Sequence, residues 1–300
     1  MLRSPDGGII MRRILAAAGV FVAGVALSET LLSQAPPAGL DDPRPIDAVD
    51  TVFTEEMTWM EVRDAIRAGK TTAIVATGGL EQNGPHVVTG KHNFVLRSTS
   101  EAIARKLGNA LVSPIVPFVP EGSIDPPSGH MRYPGTISLR EETFQALLTD
   151  VCASLKQHGF LDIALIGDSG GNARGMQATA DSLNGEWRDG PARVYHVAEY
   201  YEEDIWSYDE LKRMGIVQQP DVKSATRDAV HTDFHYESMA ALVDPKHIRM
   251  DQRIRAGKFE VYGVELGPIE KTLAAGRHLV DYRADITVEA IRKAMAAAGR

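Results

Sequence analysis

The stretch that decides the fold is Thr71-Thr-Ala-Ile-Val-Ala-Thr-Gly-Gly-Leu-Glu-Gln-Asn-Gly-Pro-His86. Its first part, residues 72–77, is short, apolar and rich in β-branched side chains, which predicts a fully buried strand of a parallel sheet. Gly78 and Gly79 end the strand, and Glu81, His86 and His92 follow in or just after a polar loop. Loops that leave the carboxyl ends of parallel strands hold the binding sites of open α/β sheets. An acid with imidazoles suits metal ligation or acid–base chemistry, and a polar surface loop is the alternative.

Other segments repeat the alternation of strand and helix. Apolar, β-branched runs predict strands at 110–118, 137–139, 162–167 and 194–200. Helical patterns lie between them, at 95–107, at 140–158 and after Asn172, and a capping box at Thr58–Glu61 opens an earlier helix that Gly69 closes. This order predicts a three-layer α/β/α fold with a mainly parallel central sheet. The last hundred residues look more helical and less regular.

Composition excludes several classes of function. The chain has 300 residues, 44% of them hydrophobic, and a net charge of −8. Nucleic-acid binding needs a basic face, so we expect no nucleic-acid partner. The scattered lysines and arginines form no polybasic patch for a membrane surface. The single cysteine, Cys152, allows no intrachain disulfide, and its apolar helical setting predicts a buried structural thiol.

The N-terminus has the pattern of an export signal. Met11-Arg-Arg precedes an apolar run from Ile14 to Leu27, which is too short for a stable membrane span. We therefore predict a signal peptide in residues 1–35, with translation starting at Met1 or Met11, and a periplasmic or secreted protein without a membrane span after cleavage. An uncleaved anchor is the alternative. Residues 36–50 have the composition of a linker, and 51–300 are predicted to form a single catalytic domain.

Four ordered motifs resemble those of the creatininase family of amide hydrolases. Glu81-Gln-Asn-Gly-Pro-His86 is similar to the family's Glu-Gln-His-Gly-Pro-His signature. The other three segments are His130-Met-Arg-Tyr-Pro-Gly-Thr-Ile-Ser138, Leu165-Ile-Gly-Asp-Ser-Gly-Gly-Asn172, and His231 to Ser238 followed by Ala241-Leu-Val-Asp-Pro245. Together they span roughly residues 58–253. The resemblance implies a creatininase-like fold, a divalent metal such as Zn or Mn, and a closed homo-oligomer.

The same resemblance implies a set of site residues. Metal ligation falls on Glu81, His92, Glu237 and Asp233, and catalytic or substrate-contact roles fall on His231, Asp168, Ser169 and His130. The chain departs from the family pattern at three positions, because Asn83 and Ser169 replace ligand histidines and His92 replaces a bridging aspartate. These departures leave one divalent metal as the feasible complement, with a metal-free polar pocket as the alternative. Lys91 is expected to be solvated, or else to bind an acidic group.

The predicted function is that of a secreted creatininase-like hydrolase. Its substrate would be a small amide, cyclic amide or formamide, attacked at a C–N bond by metal-activated water, with His231 protonating the leaving nitrogen. Two alternatives remain open. One is a metal-free hydrolase in which His231 or His92 activates Ser169, and the other is an inactive small-molecule binding protein of the same fold.

Overall fold

The computed structural model describes residues 39–201, 203–219 and 231–299. The predicted signal peptide lies outside these residues, and so do residues 36–38 of the predicted linker. Residues 39–42 form a turn in which the Gly39 amide donates to the Asp42 carboxylate. The part of the chain that the structure describes contains no helix with both the length and the apolar character needed to cross a membrane.

The secondary structure from residue 43 onward alternates in its first half and is mostly helical in its second. The helices are α1 (Trp59–Arg67), α2 (Lys91–Leu107), α3 (Glu141–Gln157), α4 (Ala173–Glu186), α5 (Glu203–Arg213), α6 (Phe234–Val243), α7 (Met250–Arg255) and α8 (Ile269–Ala297). The strands are β1 (Thr72–Thr77), β2 (Ala110–Val112), β3 (Asp162–Gly167), β4 (Arg193–His196), β5 (Glu260–Val261) and β6 (Val264–Glu265).

The central sheet has four parallel strands in the order β2-β1-β3-β4. Strand β1 pairs with β3 along its whole length, from Thr72 opposite Asp162 to Thr77 opposite Gly167. Every residue of both strands is buried, as expected for strands covered on both faces. The predicted strands at 72–77 and 162–167 are therefore confirmed to the residue. The hairpin β5–β6 is separate and antiparallel.

The two faces of the sheet pack against different helices, because successive side chains of a strand point to opposite sides. Ala73 and Val75 belong to a cluster with Phe144 of α3 and Met176 of α4. On the opposite face, Ile74 and Ala76 of β1 pack in a cluster that includes residues of α2 and α8. The predicted three-layer α/β/α fold is confirmed.

Three of the predicted strands are shorter than expected. The run at 110–118 forms a ladder only in β2, because Pro114 and Pro117 have no N–H to donate to it. Single bridges continue the pairing farther on, at Val116 and at Ile137, where a strand at 137–139 was predicted. The run at 194–200 divides into β4 and a 3₁₀ helix, Ala198–Tyr200.

Helix α2 begins four residues before its predicted start. Gly90 occupies the N-cap position, so Lys91 and His92 lie in the first helical turn instead of in the preceding loop. A helical residue has a fixed direction relative to its neighbours, and both side chains point into the protein, where they are 1% and 2% exposed. This corrects the expectation that Lys91 is solvated.

Helix α8 helps to cover one face of the sheet, and the C-terminal helices carry an apolar cluster of their own. Helix α6 packs closely on α8, and a Cβ atom at Gly276 would lie 2.2 Å from the carbonyl oxygen of Ser238. Helix α8 has 29 residues, and its buried positions follow a spacing of three and four along one stripe. The more helical character predicted for this region is confirmed.

The connections out of the neighbouring strands β1 and β3 diverge to opposite faces of the sheet. The chain leaves β1 toward α2 on one face of the sheet and leaves β3 toward α4 on the opposite face. Such a switch point between adjacent parallel strands is where ligands bind in open α/β sheets.

Candidate active site

The loop after β1 is held in place by one side chain of α2. The Asn93 amide accepts from the Gly79 N–H at 3.2 Å and donates to the Gly79 carbonyl oxygen at 3.1 Å. A Cβ atom at Gly78 would lie 2.0 Å from the Asn93 Oδ1 atom, so only glycine fits there. This close approach fixes the backbone that leads to Glu81.

Asn172 joins the ends of the two central strands. Its Nδ2 atom donates to the carbonyl oxygens of Thr77 and Gly78 at 3.1 and 3.0 Å. The Asp168 amide also donates to the Thr77 carbonyl oxygen at 3.0 Å. The loops that carry Glu81 and Asp168 therefore start from a shared, hydrogen-bonded base.

Glu81 is the centre of the site. Its carboxylate is 1% exposed, with Oε1 at 2.6 Å from His92 Nε2 and 3.1 Å from His231 Nε2. Its Oε2 atom is 3.1 Å from His130 Nε2. His130 and His231 are each 26% exposed, and their rings lie 4.4 Å apart. The site thus opens to solvent on the side of these two imidazoles.

His92 links two carboxylates. Its Nδ1 atom lies 2.9 Å from Asp168 Oδ2, while its Nε2 atom faces Glu81. A ring nitrogen can face an ionised carboxylate only as a donor, so this geometry calls for the doubly protonated imidazole. Burial and the Lys91 charge act to lower the pKa of His92, but the Glu81 charge and the hydrogen bonds to both carboxylates raise it to about 9. His92 is therefore a cation at neutral pH.

Glu81 and Glu121 form a buried carboxyl pair with a single charge. Burial alone would raise the pKa of Glu81, but the positive charge of His92 and the hydrogen bonds from His231 and His92 hold it far below its ordinary range. Burial and the Glu81 charge raise the pKa of Glu121 to about 9. Like charges side by side cannot both ionise, so Glu81 is the carboxylate and Glu121 the protonated acid.

The Asp168 end of the network is closed by an arginine from the last helix. Arg283 Nη1 lies 2.6 Å from Asp168 Oδ1, and neither side chain is exposed. The Tyr200 hydroxyl donates to the same oxygen at 3.1 Å. Burial acts to raise the pKa of Asp168, yet Arg283 and the hydrogen bond from His92 lower it overall. Asp168 is therefore ionised.

Lys91 brings a further positive charge to the site. Its Nζ atom lies 3.9 Å from Glu81 Oε1 and donates to the His231 carbonyl oxygen at 2.9 Å. It also lies 4.3 Å above the centre of the Tyr236 ring, a cation–π contact. The lysine thereby ties the segment carrying His231 to helix α2.

A metal ion could be held by Glu81, His130 and His231. One ligand atom from each residue lies within 4.8 Å of the others. One carboxylate oxygen and two imidazole nitrogens match the three protein ligands of a catalytic Zn²⁺ site with an open position. The site-residue prediction placed Glu81 among the ligands but gave His130 and His231 other roles, so the group that the fold brings together differs from the predicted set.

The other predicted ligands lie in different surroundings. Glu237 Oε2 is 2.5 Å from Arg253 Nη1, and both side chains are buried. Asp233 caps helix α6 through the Tyr236 amide, accepts from the Tyr208 hydroxyl and pairs with His235. The structure thus places these two carboxylates in ion pairs and caps instead of around Glu81.

Two positions that depart from the family pattern, Asn83 and Ser169, lie in the loop after β1 and in the turn after β3. Asn83 Nδ2 donates to the carbonyl oxygens of Glu81 and Val88, both at 3.1 Å, and thus closes its own loop. Ser169 is 9% exposed and stands at the start of the turn that leads to Asn172. Within the described ranges, no imidazole is hydrogen-bonded to the Ser169 hydroxyl.

Comparison with known proteins identifies the family. The model of the family described as creatinine amidohydrolase matches residues 55–291, which is most of the chain. The chain belongs to the creatininase family. The family resemblance predicted from the four motifs is thereby confirmed.

Two similar proteins are hydrolases that differ, by name, in the molecule they act on. Creatinine amidohydrolase of Pseudomonas putida is 28% identical over 116 residues, which is 39% of this chain and 44% of that protein. The 3-dehydro-scyllo-inosose hydrolase of Thermotoga maritima is 27% identical over 119 residues, or 40% of this chain and 36% of that protein. Each match spans less than half of the relative's length.

A solved structure supports the fold assignment of this creatininase-family chain. A manganese creatininase superposes with a TM-score of 0.54 at 20% identity, and the match covers 83% of this chain and 97% of the other. At this level of identity the likeness shows the fold alone.

Sequence reasoning missed two members of the site, Glu121 and Arg283. Glu121 lies in a long loop rich in proline and glycine, where no periodic pattern reveals burial. Arg283 did carry a signal, because Leu279 and Thr287 lie four residues before and after it on the buried stripe of α8. An arginine on such a stripe indicates a buried acidic partner.

Proposed function

We propose that this chain is a hydrolase that cleaves a C–N bond in a small amide, cyclic amide or formamide. The observation that carries the proposal is the group of Glu81, His130 and His231 at the carboxyl end of β1, in a chain of the creatininase family. The two imidazoles are partly exposed at the switch point of the sheet, where a small molecule could reach them. The two relatives act on different molecules by name, so the substrate class rests on the first of them.

One divalent ion fits the donor set, and two do not. Glu81, His130 and His231 together supply the three ligands of a mononuclear Zn or Mn site. A second ion would need ligands from residues that are already engaged. His92 is bonded at both ring nitrogens, and the Asn83 amide is bonded to its own loop. We therefore assign the chain a single metal.

Each residue of the Glu81 site has its own role around a bound ion. A bound ion would lower the pKa of its water and polarise the amide carbonyl. Glu81 would hold the ion with His130 and His231, and the protonated His92 donates a hydrogen bond to the Glu81 oxygen that faces it. Lys91 fixes the His231 backbone through its carbonyl oxygen. The sequence predicted that His231 would protonate the leaving nitrogen beside a metal-activated water, a role that His231 can fill only if it is not itself a ligand of the ion.

A second candidate function is that of a metal-free binding protein of the same fold. The observation that favours it is the neutralisation of Glu81, which already faces the cationic His92 and has Lys91 at 3.9 Å. Positive neighbours oppose the entry of a divalent cation. The serine alternative has less support, since the Ser169 hydroxyl has no imidazole partner among the described residues.

Metal analysis of the purified protein separates these candidates. We expect about one Zn or Mn per chain in wild type and a large loss in His130→Ala and His231→Ala. His158→Ala is the matched control, because that imidazole is exposed and outside the site. Wild type that stays metal-free after incubation with Zn²⁺, yet binds small amides without turnover, would support the binding protein instead.

Two further proposals concern location and assembly. We propose that residues up to about 35 are removed on export, which mass spectrometry of the exported N-terminus would test; an intact Met1 or Met11 on cytoplasmic protein would contradict it. We also propose a symmetric homo-oligomer. Light scattering that gives a monomer mass at micromolar concentration would contradict that assembly.

A further inference from the structure

Arg283 is a fully buried arginine in the middle of helix α8. It has no exposed surface, and its guanidinium group lies 4.8 Å above the Tyr200 ring and 5.9 Å from the Tyr236 ring. Its Nη1 atom bonds Asp168 Oδ1 at 2.6 Å, across 115 residues of sequence. Arginines are almost never fully buried unless they are paired, so this contact accounts for the position of the residue.

Stability alone is a weak reason for such a pair. Moving two charges out of water costs about as much as their attraction returns, and well-packed apolar replacements are often neutral or stabilising. The apolar neighbours of Arg283 on its own helix, Leu279 and Ala284, are both fully buried. An apolar side chain would suit this stripe. A charge there is explained better by the contact that Asp168 makes with His92.

Asp168 connects Arg283 to the site through a hydrogen bond with His92. Arg283 and the Tyr200 hydroxyl occupy its Oδ1 atom, which leaves Oδ2 for His92 Nδ1 at 2.9 Å. The imidazole is then fixed in plane, with Nε2 directed at Glu81 Oε1 at 2.6 Å. The other Glu81 oxygen is left to face His130 at 3.1 Å.

We propose that Arg283 is a positioning residue for the Glu81 site, acting through Asp168 and His92. The guanidinium group sets the rotation of the Asp168 carboxylate, which sets the ring of His92 and thereby the carboxylate of Glu81. In metal sites, residues that do not touch the ion often hydrogen-bond its ligands and fix their orientation, and the role of Arg283 is of this kind. The metal-binding consequence rests on the proposed function, whereas the orientation of His92 does not.

The test compares Arg283→Met with Arg283→Lys and with a matched control. Arg253→Met is the control, because Arg253 forms an equally buried pair with Glu237 but does not contact the Glu81 network. The first measurement is NMR of ¹⁵N-labelled histidines in metal-free protein, which reports the hydrogen bonds of both His92 nitrogens. The second is Zn²⁺ affinity by competition with a chelating dye.

We expect Arg283→Met to shift both His92 nitrogen signals and to weaken Zn²⁺ binding by about 10–100-fold. Arg283→Lys, which keeps the charge, should restore part of both, and Arg253→Met should change neither. If Arg283→Met does not fold, Tyr200→Phe removes the other donor to Asp168 Oδ1 and should shift the His92 signals in the same direction.

Unchanged His92 signals in a folded Arg283→Met protein, or in Tyr200→Phe where that variant stands in, would overturn the proposal. Equal effects of Arg253→Met would also overturn it, because the role would then be general packing. Failure of the wild type to bind Zn²⁺ would refute the metal function alone, since the NMR measurement needs no metal.

Discussion

Glu81→Gln is the substitution that tests the site most directly. It keeps the size of the side chain and removes the negative charge that three imidazoles and Lys91 face. The glutamine amide can accept from one imidazole only by presenting its NH₂ group to another donor. We therefore expect losses both in stability without metal and in metal affinity.

The magnitudes follow from burial. Glu81, His92 and Lys91 are each about 1–2% exposed, and removing one partner of a buried ion pair typically costs about 3–5 kcal/mol. We expect a loss in the free energy of unfolding of about that size in metal-free protein. Substituting a residue that only hydrogen-bonds a ligand lowers metal affinity by about 10–100-fold, so substituting the ligand Glu81 should lower it by more than about 100-fold.

Urea denaturation followed by circular dichroism, with chelator present, measures the first loss, and dye competition with Zn²⁺ measures the second. Glu101→Gln is the matched control. Glu101 pairs with Arg105 on the surface of α2, with both side chains 42% exposed. Exposed pairs of this kind contribute about 0–1 kcal/mol, so the control should be nearly neutral in both assays.

The result that would refute this reasoning is a loss below about 1 kcal/mol in Glu81→Gln, indistinguishable from the control. It would mean that the network carries no charge on Glu81 in the folded state. Unchanged Zn²⁺ affinity in the same variant would remove Glu81 from the metal site.

Three further predictions concern pH, packing and the serine. His92 has a folded pKa of about 9 against an ordinary 6.5, so its contribution is complete below pH 6.5 and lost as pH rises through 9. Metal-free wild type should lose about 3 kcal/mol more than His92→Gln over that range in urea titrations; parallel curves would contradict this. Gly276→Ala, whose new Cβ atom would meet the Ser238 carbonyl oxygen, should lower the free energy of unfolding in urea denaturation by about 1–3 kcal/mol or more. Gly185→Ala, which has open space around it, should raise the same quantity by about 0.5–1 kcal/mol. Ser169→Ala should hydrolyse amides at a rate within about twofold of the wild type. Loss of hydrolysis in this variant, together with fluorophosphonate labelling of the wild type, would favour the serine mechanism.

Local patterns predicted the frame of the molecule well. Strands 72–77 and 162–167 were predicted to the residue because both are buried on two faces and bounded by polar or glycine residues. The capping box at Thr58–Glu61 formed as expected, since its two hydrogen bonds depend only on residues three apart. The motifs also led to Glu81, His130 and His231, although the predicted ligand set was different.

Long-range pairing explains what the sequence could not predict. Glu237 matched a ligand position by alignment, but its carboxylate forms a buried ion pair with Arg253. Lys91 looked solvated because a lysine beside a loop usually is, and only the early start of α2 turned it inward. Hydrogen bonds across more than a hundred residues, such as that of Arg283, leave no periodic mark at the acidic end.

The position of Arg283 also has a consequence for synthesis. The ribosome completes Asp168 and its neighbours in β1 and β3 well before it reaches the arginine, 115 residues later. At elongation rates of about 5–20 residues per second that interval lasts roughly 6–23 s. Throughout it the Asp168 carboxylate has no guanidinium group to accompany it into the interior, and burial of an unpaired charge is costly. We therefore expect Asp168 to stay hydrated until α8 has been synthesised, so that its burial comes late in folding.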